Sequence, residues 1–156
     1  IGEFKTFLKI SPPLRTEEDR ISLVQGIKEN LIDVIVSDHL PEDEESKRLP
    51  FAQAATGAIG IETLLPLALE MYHNESLPLN KIIETLTINP SKILKINKGT
   101  LQKGSDGDIC IFDLEAPFVV NGEKLKSKSK NTAIEDRKLQ GKVLMTFLNG
   151  ELVFNE

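Results

Sequence analysis

Asp38 and His39 stand side by side directly after the β-branched run from Ile32 to Val36. A carboxylate and an imidazole are the commonest general-base and metal-ligand groups, and the carboxyl end of a buried strand is where α/β proteins and barrels expose such chemistry. Judged from residue types alone, Asp38 serves equally well as a turn cap and His39 as a satisfied polar residue, so both readings stand. Four consecutive acids follow, Glu42, Asp43, Glu44 and Glu45. Adjacent carboxylates converge poorly on one ion, which favours a solvated loop over a metal site. His73, beside Asn74, falls at an expected helix end, where a basic group complements the dipole. Cys110 lies among apolar residues in an expected strand and is read as a small core residue. Gly57-Ala58-Ile59-Gly60 lacks the lysine and spacing of a phosphate loop, and no Ser/His/Asp triad can be assembled.

The elements that must position these groups follow from periodicity. Phe4 to Ile10 is aromatic and β-branched and reads as a strand, stopped by Ser11-Pro12-Pro13 because proline cannot donate a ladder hydrogen bond. Thr16 then caps a helix whose first turn is acidic, with Ile21, Val24, Ile27 and Leu31 at helical spacing. The run Ile32 to Val36 reads as a second strand buried on both faces. Strand, helix and strand make one βαβ unit, and its right-handed crossover would set both strands parallel, with Ser11 and Asp38 at their carboxyl ends. Ser37 to Pro50 is a polar loop of functional length. Helices are expected from about Ile61 to Tyr72 and from about Leu79 to Ile88, with a break at Asn89-Pro90 and a short helix capped by Ser91. From Gly99 the period changes to two, giving short strands around Ile109, Phe118, Val143 to Phe147 and Leu152 to Phe154. Asn149-Gly150 between the last two is a type I′ hairpin signal.

Composition bounds the function classes. The 156 residues carry 19 Lys+Arg against 24 Asp+Glu, a net charge of −5, and 40% are apolar, which is one globular domain's worth of chain. Apolar stretches such as Leu64 to Leu69 fall far short of the ~20 residues a membrane-spanning helix needs. The lysines of Lys124 to Lys130 alternate with Leu125, Ser127 and Ser129 and read as a solvated loop face, so no nucleic-acid footprint is present. One cysteine forms no internal disulfide, which fits a reducing, cytoplasmic setting. The chain opens at Ile1, in what reads as a strand already under way, and is expected to be part of a longer protein.

Taken in order, several motifs resemble one family. Ser11-Pro12-Pro13-Leu14-Arg15-Thr16-Glu17-Glu18-Asp19-Arg20, Ile32 through Ser37-Asp38-His39, Lys47-Arg48-Leu49-Pro50-Phe51-Ala52 and Gly57-Ala58-Ile59-Gly60-Ile61-Glu62-Thr63 look like the carboxyl-terminal part of a dihydroorotase of the amidohydrolase superfamily. Thr87 to Leu94, Gly99 to Ile109, Lys130-Asn131-Thr132 and Gly141-Lys142-Val143 continue the resemblance over nearly the whole chain. It implies an α/β fold: the end of a (β/α)₈ TIM-barrel metal-dependent hydrolase over residues 1–98, with the last two barrel strands, and part of a small β-sandwich domain over 99–156. It implies one or two zinc ions, most of whose ligands lie upstream in the parent chain. The implied reaction is the reversible hydrolysis of the cyclic amide of dihydroorotate to N-carbamoyl-aspartate, in pyrimidine biosynthesis. Asp38 matches the aspartate that touches the metal and carries a proton from the attacking water to the leaving nitrogen. Zinc lowers the pKa of bound water from 15.7 to about 7, so an ordinary carboxylate can hold that proton transiently.

Departures from the family's pattern define the competing readings. Many relatives have a second histidine where Glu42 stands, and an anion beside a dicarboxylate-like substrate costs binding. Ser11 replaces an asparagine, keeping one donor but not an amide's pair. Thr56-Gly57 stands in a stretch whose backbone holds the substrate ring in relatives. Asn131-Thr132-Ala133-Ile134 departs where packing, rather than catalysis, is affected. The substrate-binding set is therefore expected to be Ser11, Glu42, Thr56 and Gly57, with Asp38 catalytic and metal-ligating. The alternatives are a catalytically silent homologue that partners aspartate transcarbamoylase, or a hydantoin- or allantoin-type cyclic amidohydrolase. A homodimer is compatible with either, and the 156 residues alone are expected to be inactive because the site lacks its histidines.

Overall fold

The computed structural model describes residues 4–156. In chain order these form a 3-10 turn at Thr6–Leu8, helices α1 (Glu17–Lys28), α2 (Glu44–Arg48), α3 (Leu64–His73), α4 (Leu79–Leu86) and α5 (Ile88–Leu94), strand β1 (Ile109–Val119), a 3-10 turn at Gly122–Lys124, and strands β2 (Lys138–Leu148) and β3 (Glu151–Asn155). They divide into two compact units that interleave along the chain. The first holds residues up to Ile21 with Ser37–Leu64 and Val119–Lys138, and the second holds Ser22–Val36, Leu65–Phe118 and Leu139–Glu156. Among the described residues no helix is long and apolar enough to cross a membrane.

Two short-range caps start helices as the residue types dictate. Thr16 Oγ1 accepts from the Asp19 amide at 3.2 Å while Asp19 Oδ2 accepts from the Thr16 amide at 3.1 Å, a reciprocal capping box at the start of α1. Asp43 caps α2 by accepting from the Ser46 amide at 2.8 Å, and Glu44 and Glu45 follow in the first turn. The acidic run is thus spent on a helix start within the Ser37 to Pro50 loop, where no helix was expected. A further correction is at Asn89-Pro90 and Ser91, which lie inside α5 rather than breaking one helix and capping the next; Thr87 stands at its N-cap. Proline is tolerated there because first-turn amides have no intrahelical acceptor.

In the second unit, Val24, Ile27, Ala68, Leu77 and Ile82 form the buried cluster, with Ile32, Ile35, Met71, Tyr72 and Leu86 packed on it. The expected α1 stripe is only half used: Val24 and Ile27 are buried, whereas Ile21 and Leu31 remain 55% and 74% exposed.

The two segments expected as parallel barrel strands are not strands. Residues 4–10 turn back at Thr6–Leu8, where the Leu8 and Lys9 amides donate to Lys5 and Thr6 carbonyls at 3.0 Å. Residues 32–36 form no ladder, and their backbone is met by helix groups instead: the Ile35 amide donates to Thr85 O at 3.2 Å and Asn89 Nδ2 to Asp33 O at 3.0 Å. β-Branched residues favour an extended backbone, but only a neighbouring strand can complete a ladder, and these 153 described residues bring none to either segment.

The β module is one three-stranded sheet in the order β1-β2-β3. β2 and β3 are antiparallel, with a bulge between Thr146 and Phe147. They are joined through Asn149 (φ 51°) and Gly150 (φ 82°), the type I′ geometry the dipeptide predicts. β1 is a single strand from Ile109 to Val119 rather than two, because Pro117 sits on an edge strand where its missing amide costs no ladder bond. Cys110, expected in the core, is exposed on that strand. Its thiol is still pushed up, by partial burial first, with a Thr146 hydrogen bond working against it.

Replacing fully buried Ile82 by alanine is expected to cost about 2–5 kcal/mol in urea denaturation, against under ~0.5 kcal/mol for exposed Ile93. The caps generate a pH prediction. Asp19 and Asp43 are held below the ordinary aspartate value of 3.8, first by amide hydrogen bonds from Thr16 and Ser46 respectively. A depressed folded value means the stabilisation is complete above the ordinary value and lost as pH falls through the lower folded one. NMR titration should find both carboxyls protonating below an unfolded-peptide aspartate, with the first-turn amides of α1 and α2 losing protection in the same window.

Candidate active site

In the first unit one glycine ties together the segments that carry Lys9, Leu40, Lys47 and Asn131. Gly57 donates its amide to Lys9 O at 3.0 Å, and its carbonyl accepts from Lys47 Nζ at 2.9 Å and Asn131 Nδ2 at 3.2 Å. Its φ is +151°, and a Cβ there would lie 2.8 Å from Leu40 O. Only glycine admits that contact. The Leu40 amide donates to Ala58 O at 2.9 Å, and a Cβ on Gly60 would lie 2.8 Å from Ser37 O. The two sides of the 37–40 turn are therefore pressed against 57–60.

Asp38 sits between those pressed residues with φ 42°, an unusual conformation for a side-chain-bearing residue, and one of order 1–3 kcal/mol in cost. The clamp on Ser37 and Leu40 holds it there. Its carboxylate is exposed, and among the described residues it makes no hydrogen bond or ion pair. Its neighbour points the other way in role: His39 Nδ1 accepts from the Gly60 amide at 3.1 Å and the Ile61 amide at 3.3 Å. Nδ1 as acceptor puts the ring proton on Nε2, so neither nitrogen offers a lone pair to a metal. His39 is a clamp of the turn rather than a ligand.

Glu42 is half-buried, and its amide donates to Asn131 Oδ1 at 3.3 Å. It lines a cleft of about 1010 Å³ together with Phe7, His39, Ser129 and Asn131. Asp38, Ser11 and Thr56 stand outside that lining. Asn131 is buried and is the joint of this region: besides Gly57 and Glu42 it receives the Ser129 hydroxyl, and its carbonyl accepts from the Ile59 amide at 3.3 Å. Ser11 is exposed, two residues after Lys9. Thr56 is half-buried, and among the described residues neither its backbone nor its hydroxyl is hydrogen-bonded. Gly57, by contrast, has both backbone groups committed internally.

Two lysines outside the expected site set, Lys9 and the motif residue Lys47, hold the loop between them. Lys9 Nζ donates to Phe51, Ala52 and Ala54 carbonyls at 2.9, 3.0 and 2.7 Å and stands 5.6 Å from the Phe51 ring centre. Lys47, 1% exposed, donates to Lys9 O, Ala55 O and Gly57 O at 3.3, 3.0 and 2.9 Å. Burial pushes its pKa down, Glu42 pushes it back up, and Lys9 pushes it down. Three acceptors match the three protons of an ammonium. In the sequence Lys47 is indistinguishable from Arg48 beside it, which stays exposed and pairs with Glu44 and Glu45.

Among the described residues no three His, Cys, Asp or Glu side chains converge to hold a metal. The Asp38 carboxylate, exposed and unpaired among the described residues, has the chemistry of a single oxygen ligand.

The amidohydrolase family profile matches residues 10–153. The chain belongs to the amidohydrolase family. It is 44% identical over 146 residues to a dihydroorotase of Ehrlichia chaffeensis, covering 94% of this chain and 33% of that protein. A dihydroorotase of Acetivibrio thermocellus is 43% identical over 155 residues, covering 99% and 36%. Among solved structures, L-hydantoinase (dihydropyrimidinase) from Arthrobacter aurescens superimposes with a TM-score of 0.90 at 31% identity over 97% of this chain and 35% of that one. A D-hydantoinase, at TM-score 0.88 and 24% identity, over 97% of this chain and 34% of that one, shares the α/β fold. The amidohydrolase chain described here thus spans about a third of the length of the curated relatives it matches.

Gly57→Ala adds both a positive-φ penalty and an overlap with Leu40 O, so a loss of at least about 2 kcal/mol is expected, read from the denaturant midpoint. The same variant should shift the amide resonances of His39, Leu40 and Ala58, which the overlap would displace.

Proposed function

We propose that these residues are the carboxyl-terminal part of a zinc-dependent dihydroorotase, which interconverts dihydroorotate and N-carbamoyl-aspartate. What carries the reading is the Asp38 carboxylate, unengaged among the described residues on a strained turn clamped from both sides, in a chain 43–44% identical to dihydroorotases along nearly its whole length. In this reading residues 1–98 complete a (β/α)₈ barrel supplied by the rest of the protein, and 99–156 belong to a β-sandwich domain. The 32–36 segment, which pairs with no strand among the described residues, is then a barrel strand awaiting its neighbours.

Asp38 acts as the proton carrier. It takes a proton from the attacking water as the new C–O bond forms at the ring carbonyl, and returns it to the nitrogen as the ring C–N bond breaks. Asp38, with histidines elsewhere in the protein, would hold one or two zinc ions, which would supply Lewis-acid chemistry at that carbonyl. Ser11 donates its hydroxyl to substrate. With the Gly57 backbone committed, Thr56 provides the backbone contacts of that loop, and Glu42 narrows the approach for an anionic substrate. Cytoplasmic location and assembly as a homodimer or with aspartate transcarbamoylase belong to the same proposal.

The 31% identity to an L-hydantoinase supports a second reading, hydrolysis of a related cyclic amide ring. The test is turnover in both directions by the full-length, zinc-loaded protein and its Asp38→Asn variant. Turnover of dihydroorotate by the parent protein, with a loss of at least ~100-fold in the variant, is the expected result. Turnover of hydantoins alone would replace the substrate, and no turnover of either would leave a silent partner of aspartate transcarbamoylase, to be tested by co-purification.

A further inference from the structure

The Lys47 ammonium grips the carbonyls on either side of Thr56, at Ala55 (3.0 Å) and Gly57 (2.9 Å), and makes no hydrogen bond to Thr56. We propose that Lys47 is the positioning residue that presents the backbone of Thr56 to a ligand, and that α2 exists to deliver it. The proposal rests on the dihydroorotase reading only for the identity of that ligand.

Several independent features converge on it. α2 is five residues long, and Lys47 is its buried side chain; Glu44, Glu45 and Arg48 around it are exposed. A buried charge on so short a helix contributes no apolar core and carries a desolvation penalty, so its retention calls for an interaction that needs the charge. Lys9 O supplies the third acceptor and simultaneously receives the Gly57 amide, so the ammonium and the loop share one anchor. The Ala55 amide donates to Ser46 O at 3.1 Å, tying the loop to the helix that carries the lysine. The outcome is that the Thr56 N–H and C=O, each in a peptide unit whose other polar group is held, make no hydrogen bond among the described residues. A preorganised, unsatisfied backbone group on a fixed frame is what a ligand-orienting loop requires, since the ordering cost is met before binding. Lys9 does the complementary work on the earlier half of the loop, through Phe51, Ala52 and Ala54.

The test uses the full-length, zinc-loaded protein and its Lys47→Met variant, with Arg48→Met as the control on the same helix. Lys47→Met is expected to raise KM for dihydroorotate at least ~10-fold while kcat stays within ~3-fold, the signature of a lost ground-state contact. Amide hydrogen exchange at Gly57, measured without substrate, should quicken at least ~10-fold, and Arg48→Met should change neither. An unchanged KM with a lowered melting temperature would make Lys47 a purely structural residue and overturn the proposal. Should the variant not fold, the unsubstituted protein decides: its Lys47 Nζ protons should exchange slowly enough to be seen by ¹⁵N NMR at neutral pH. Exchange as fast as that of exposed lysines would overturn it. Absence of turnover in the unsubstituted protein defeats the dihydroorotase reading alone, because Gly57 exchange still reports whether Lys47 holds the loop.

Discussion

The close approach of the Gly57 backbone to Leu40 is the constraint on which the first unit depends. A Cβ at that point would overlap a carbonyl, so the chain can pass there only because the residue has none. Once it passes, the Gly57 carbonyl is within reach of a lysine from α2 and an asparagine 74 residues further along. Each of these donors in turn organises a further segment. Asn131 holds the Glu42 backbone, and Lys47 holds Ala55 and Lys9. Buried donors and acceptors must be paired, and this network pairs them with little apolar material.

The same contact explains how a strained aspartate persists. Asp38 occupies a positive φ that a local turn would relax, were its neighbours not fixed by Gly60 against Ser37 and by Ala58 against Leu40. His39 strengthens the clamp by accepting two amides at the start of the following segment. Strain stored this way is affordable when several independent contacts over-determine the backbone. The exposed carboxylate is left without a partner among the described residues, which suits the proton-carrying role proposed for it.

The second unit is organised differently. Its buried cluster is apolar, and the loop that leads to its sheet is held by charge: Lys98 bridges Asp106 and Asp108 at 2.6 and 2.5 Å, and Asp108 accepts from the Asn149 amide at 2.8 Å. Amide and ammonium together hold the Asp108 carboxyl below the usual carboxylate range, while the two carboxylates raise Lys98. These groups are exposed, so salt screens them, and the geometry of the 104–108 turn rests more on the Gly150 amide bound to Gly107 O at 2.9 Å.

Local physics was legible in the sequence wherever one residue's own chemistry decides the outcome. Thr16 caps α1 and Asn149-Gly150 makes the type I′ hairpin, because capping and turn conformation are properties of a few adjacent residues. Tertiary structure alone decided the rest. The β-branched runs at 4–10 and 32–36 could declare an extended preference but not supply the partner a ladder needs. Lys47 and Arg48 are alike as letters; only the placement of Gly57, Ala55 and Lys9 around one of them makes it a buried anchor. His39 could have been a ligand until two amides from Gly60 and Ile61 claimed its Nδ1. In each case the deciding atoms lie far away in sequence, and a one-dimensional pattern carries no information about which distant backbone group will arrive within 3 Å.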